Sequence, residues 1–217
     1  MRLRPIFEKE KVVGWRDEER NRDYRRIWGG LAWPQVHLPG FAVAVAEEFT
    51  DPGQGGVRVQ DSVSMHILLE AESSDFNTLM RACTEHSNKV TWWGNVFDKT
   101  NMLRLQDFNL AETGAGRPRL VLFTPPLVSP EGDLKTVVEH GVARILQRTG
   151  SSKTLVIGDN PMVQACRDGL RGEAEDSLHD HPRLLALCFV LNALDRIPWV
   201  HPATERKPWV RERIVPG

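Results

Sequence analysis

Three apolar runs, each closed by turn chemistry, precede the first stretch with helical periodicity, and this order constrains the fold more than any single motif. The first two runs, "RIWGGLAWP" (26–34) and "GFAVAVAEEF" (40–49), are punctuated by Pro34, Pro39 and Gly40. They predict two strands joined by a tight connection. "DPGQGG" (51–56) is a strong turn, and "VRVQDSVSMHILLEAE" (57–72) alternates before turning continuously apolar. That pattern predicts a third strand passing from a sheet edge into the core.

Helix and strand then alternate. Ser74 precedes a helix with Phe76, Leu79, Met80 and Cys83 on one face, and the serine is available as its N-cap. "VTWWGN" (90–95) predicts a fourth, buried strand, and "KTNMLRLQDFNLAE" (99–112) a second helix. "RLVLFTPP" (119–126) predicts a fifth strand, "DLKTVVEHGVARILQRTG" (133–150) a helix closed by Gly150, and "KTLVIGDNP" (153–161) an edge segment. A helix from Pro182 to Asp195 follows. The expected class is α/β with a mixed sheet flanked by helices.

Both ends differ from this middle. Residues 1–26 hold nine Lys or Arg among six acids, which predicts a charged N-terminal arm. Within it Arg22, Arg25 and Arg26 are the candidates for phosphate contact, although the intermingled acids weaken the local field. Residues 196–217 carry four prolines and predict an extended tail. The division is therefore arm 1–26, α/β domain 27–195 and tail 196–217.

The composition removes several function classes. A formal net charge of -1 excludes a globally basic nucleic-acid binder. The apolar runs fall below the roughly 18 residues of a membrane span, and the start has no signal-peptide stretch; no membrane association is expected. Cys83, Cys166 and Cys188 are far apart with no CxxC pair, so neither a disulfide framework nor a zinc ribbon is implied. "GDNP" (158–161) and "TGSSKT" (149–154) lack the GxxxxGK[ST] pattern, so no nucleotide cofactor is expected and no packaging motor is encoded. The stretch "LHDHPRLLALCFVLNALD" (178–195) offers His179, Asp180 and His181 in succession. At most two of three consecutive residues can face one ion, which favours a helix start at Pro182 over a metal site.

The layout resembles the ribonuclease H-like superfamily and, in detail, the nuclease domain of phage large terminases. The matching stretches are "GGLAWPQVHLPGFAVAVAEE", "MHILLEAESSDFNTLMRAC", "VTWWGNVFDKTNMLRLQDFN" and "LHDHPRLLALCFVLNAL". This resemblance implies a ribonuclease H-like mixed sheet, a location in the cytoplasm of a bacterial host cell, and double-stranded DNA, a packaging ATPase or another phage protein as partner. It also implies Mg²⁺- or Mn²⁺-dependent cleavage by carboxylates on the first strand, at the end of the fourth and at the last helix, because a metal pair needs converging hard oxygen ligands. Here the first strand has no acid and the fourth ends in Gly94-Asn95; only Asp180 matches.

The expectation is a nuclease-like protein that has lost hydrolysis and acts in DNA binding or as a packaging-associated interaction module, with no cofactor firmly implied. Two alternatives stay open. An active endonuclease could use Asp180 and Asp98 as catalytic residues, with Asp180, Glu70 and Asn95 as metal ligands and Glu47, Glu48 and Glu72 as further acids. A protein-interaction module unrelated to DNA could use the arm and tail. Of the tryptophans Trp92 and Trp93, neighbours on one strand, core filling on both sheet faces is expected.

Overall fold

A computed structural model describes residues 2–49, 63–126, 134–150, 155–156 and 181–197. Its strands are β1 (Leu3–Glu8), β2 (Lys11–Asp17), β3 (Arg22–Ala32), β4 (Gly40–Glu48), β5 (Met65–Ser73), β6 (Thr91–Gly94), β7 (Leu122–Phe123) and β8 (Leu155–Val156). Its helices are α1 (Phe76–Thr84), α2 (Lys99–Gly114), α3 (Leu134–Thr149) and α4 (Pro182–Arg196). The protein is mixed α/β, as expected.

All eight strands join one sheet. Strands β3, β4 and β5 form an antiparallel meander, while β6 runs parallel to β3 and β7 parallel to β6. Strand β8 closes the other edge, parallel to β5. The central order is thus β7–β6–β3–β4–β5–β8. Strand β3 is long enough to pair twice along one edge: Arg22–Tyr24 with β2, and Trp28–Leu31 with β6.

Each face of the sheet has its own core. Phe41, Val43, Val45, Met65 and Trp93 pack under α3 and α4, whereas Ala42, Ala44, Ala46, Leu31 and Trp92 pack under α1 and α2. The period-2 alternation of β4 sets this division directly. Trp92 and Trp93 are buried on opposite faces, each removing roughly 150–250 Å² from water. Helix α4 is buried from Leu184 to Leu194, which explains why its sequence is apolar all round rather than amphipathic. Gly141 of α3 lets the two helices approach: a Cβ there would lie 2.7 Å from the Cys188 Cα.

Three expectations are corrected in detail. The charged stretch 1–26 is not an arm standing apart from the domain: β1, β2 and the start of β3 lie within it and belong to the sheet. Exposed Arg4–Glu18 and Arg16–Asp23 pairs stitch these charges together. Asp75, not Ser74, caps α1, its Oδ1 accepting the Thr78 backbone N–H at 2.8 Å. Of the two-residue edge strands, β7 and β8 are shorter than the apolar runs that contain them. Pro182 does open α4, with His181 at the N-cap position but making no side-chain capping bond. The tail from 198 onward, and with it most of the expected extended end, lies outside the described residues.

Candidate functional site

Parallel pairing of β3 with β6 puts Leu31 beside Gly94, so the two strands end together. Here the chain leaves β3 as Ala32-Trp33 and β6 as Gly94-Asn95. The Trp33 indole donates to the Asn95 backbone carbonyl at 2.9 Å. A cavity of about 750 Å³ opens next to this junction, walled by the loop 34–38, Ser74 and the first two turns of α2. Loop residues line most of the cavity, and the first turns of α2 supply its one helical wall.

Among the described residues, the side chains expected as metal ligands do not converge. Asp98 is the N-cap of α2: Oδ1 accepts the Asn101 backbone N–H at 3.0 Å and Oδ2 accepts the Asn101 amide at 2.9 Å. Asn95 accepts the Phe97 N–H at 3.1 Å through its own amide oxygen. Glu70 is exposed on β5, in register with Val43, and Glu72 pairs with Arg183 of α4. Asp180 and His179 lie outside the described residues. Among the described residues, no three His, Cys, Asp or Glu side chains stand close enough to hold a metal ion.

Packing accounts for the lack of an acid in the middle of β3. Gly30 faces α4 so closely that a Cβ would collide with the Ala186 carbonyl, lying 2.7 Å from its carbon. Gly29 faces the other way, against the Trp92 ring, where a Cβ would be 2.7 Å from Cδ2. Both faces of mid-β3 are closed by neighbouring groups. No side chain of any kind fits there without moving a helix or a tryptophan.

Of the arginines in the first 26 residues, Arg25 and Arg26 turn inward. Arg25 and Arg26 both reach Glu47, a fully buried carboxylate. Arg26 also donates to the Leu194 and Ile197 carbonyls at 2.7 and 2.5 Å, satisfying the last turn of α4. Burial pulls the Arg26 guanidinium below its ordinary value, with Glu47 opposing the shift. Arg22 bonds Glu48 at 2.5 Å, and His66 lies 3.0 Å from the same carboxylate. Burial tends to raise the Glu48 carboxyl, but the His66 and Arg22 hydrogen bonds prevail and hold it below the usual range. Glu47 and Glu48 are therefore internal partners rather than solvated strand ends. Charges committed to each other in this way do not form an outward basic face.

Sequence reasoning did not single out Arg104, whose guanidinium borders the cavity, or the His66–Glu48 contact. A guanidinium on a mixed-composition helix has no distinguishing pattern, and His66 and Glu48 meet only once β4 and β5 pair. Cys83 and Cys188 are buried and not disulfide-bonded, and burial pushes the Cys83 thiol up, away from reactivity. Comparison with family models, with curated proteins and with solved structures finds no match to this chain.

Proposed function

We propose that this chain is a ribonuclease H-like protein, similar to the nuclease domain of phage large terminases, that has lost hydrolysis and serves DNA packaging as an interaction module. The observation that carries this reading is the junction of β3 and β6. The central strand order, an antiparallel meander whose first strand also pairs with a parallel fourth strand, is the order expected of that superfamily. At the position where a first-strand carboxylate belongs, the strand has Gly30 pressed against the Ala186 backbone. The fourth strand ends in an amide, Asn95. Two ions held about 3.5–4 Å apart need several anionic oxygens from separate elements, and the stretches 28–32 and 91–95 that meet at this junction supply none.

Contact with a protein partner fits the molecule better than broad contact with DNA phosphates. Arg25 and Arg26 are tied to Glu47 and Arg22 to Glu48, and the formal net charge is -1, so the sequence-independent electrostatic contribution to DNA affinity is small. Incubating supercoiled plasmid with the wild-type protein and with Asp180→Ala in Mn²⁺ tests the loss of hydrolysis. The expected result is uncut plasmid with both. Nicking by the wild type that disappears in Asp180→Ala would instead identify an active endonuclease with relocated carboxylates.

A further inference from the structure

Most arginines of the fold are held by acids. Arg16, Arg81, Arg117, Arg144 and Arg183, for instance, each reach an Asp or Glu. Among the described residues Arg104 has no such ion pair. It is nevertheless held in place: its guanidinium carbon lies 4.2 Å from the centroid of the Phe76 ring, and Nη1 is 3.4 Å from the Asn101 amide oxygen. Phe76 is itself fixed, buried and stacked on Trp33 with ring centroids 5.8 Å apart. The planar fork is thus oriented by an aromatic face beside the 750 Å³ cavity that Arg104 lines, with no salt bridge to a carboxylate and only the longer-range field of Asp75 acting on it.

The opposite end of the same wall is acidic. Asp98 lies six residues earlier on α2, about 9 Å along the helix axis. Both of its oxygens accept from Asn101, yet each carboxylate oxygen has a second lone pair. Ser74, Thr100 and His37 add polar groups around the cavity. The wall is therefore polarised, with a guanidinium fork at one end and a hydrogen-bond acceptor at the other. Its volume falls within the roughly 300–1,000 Å³ of small-ligand sites.

We infer that this cavity binds a phosphorylated ligand of nucleotide type, its phosphoryl group on Arg104 and its hydroxyl or amino donors toward Asp98. Arginine binds phosphoryl oxygens through two parallel N–H donors, and Asp98 disfavours a ligand that is anionic throughout. A nucleoside monophosphate should therefore bind more tightly than either the nucleoside or inorganic phosphate. The phosphate contact is a side-chain fork and needs no glycine-rich loop, so the lack of a GxxxxGK[ST] pattern does not bear on it. The inference rests on the cavity alone: metal-dependent plasmid cleavage would end the reading as a nuclease-like protein without hydrolysis and leave this site standing.

Calorimetric titration of the full chain with adenosine monophosphate, adenosine and inorganic phosphate tests the site. Parallel titrations with an oligonucleotide carrying a 5′-phosphate and with its 5′-hydroxyl twin identify the source of the ligand. The monophosphate is expected to bind best of the three small molecules. Arg104→Ala should weaken it by about 10- to 100-fold, the range for a hydrogen bond to a charged group, and Arg104→Lys should recover only part, since it restores charge without the fork. Tighter binding of the 5′-phosphorylated strand than of the free nucleotide assigns the site to a strand end, and the reverse assigns it to a free metabolite. No monophosphate binding by the wild type at millimolar concentration, or unchanged binding by a folded Arg104→Ala protein, overturns the inference.

Discussion

Replacing Gly30 with alanine is expected to destabilise the protein by about 3 kcal/mol or more, lowering its melting temperature by roughly 6–12 °C. Two effects oppose each other at this position. Alanine restricts the unfolded chain and, where it fits, stabilises by about 0.4–1 kcal/mol. Here it does not fit: the added methyl would overlap the Ala186 carbonyl, and that group belongs to the backbone of a helix buried along most of its length. A flexible side chain could swing aside, but moving α4 disturbs its packing on β3, β4, β6 and α3. Overpacking therefore wins. Gly30→Asp should be worse still, because it adds an uncompensated charge to the same closed position. A melting temperature for Gly30→Ala within 2 °C of wild type would show that mid-β3 has room for a side chain, and would remove the packing reason for its lack of an acid.

Glu47→Ala is expected to cost about 3–5 kcal/mol, the usual effect of removing one member of a buried ion pair. The carboxylate is fully buried and serves both Arg25 and Arg26, which are nearly as buried. Removing it leaves two cations in low dielectric. It also loosens Arg26, whose other donors hold the end of α4. Two further buried arginine contacts, from Arg144 and Arg148 to Asp195, lie in the last turn of that helix, so the damage should spread to the α3–α4 packing. Urea titration of Glu47→Ala against wild type measures this. A loss below 1 kcal/mol would mean that the two guanidinium groups find water or other acceptors when Glu47 is absent.

What could be read in the sequence is what depends on side-chain period. The alternation of β4, the apolar run of β6 and the face of α1 each reflect burial against neighbours close in space, and their limits in the structure follow the pattern within a few residues. The hairpin of β1 and β2 could not be read in this way. Its turn places Lys9 and Glu10 at positive φ, 48° and 65°, where Asn-Gly would be the recognisable choice. Its strands are joined by an antiparallel backbone ladder, and their many charged side chains resemble a solvated segment. Asn21, at φ 52°, is the one conventional turn residue in that region. The candidate site was less accessible again. Glu47 meets its arginines across more than 20 residues of sequence, and the collision at Gly30 depends on a helix more than 150 positions later. A glycine in a strand suggests close approach of another group, but not which group approaches.

Mn²⁺-soaked crystals, read by anomalous scattering at the manganese edge, give the most direct measurement of whether the carboxyl ends of β3 and β6 can hold a pair of divalent ions. The expected result is no pair of anomalous peaks between Ala32 and Asn95. Two peaks about 3.5–4 Å apart, bridged there by carboxylates, would contradict the proposed loss of hydrolysis.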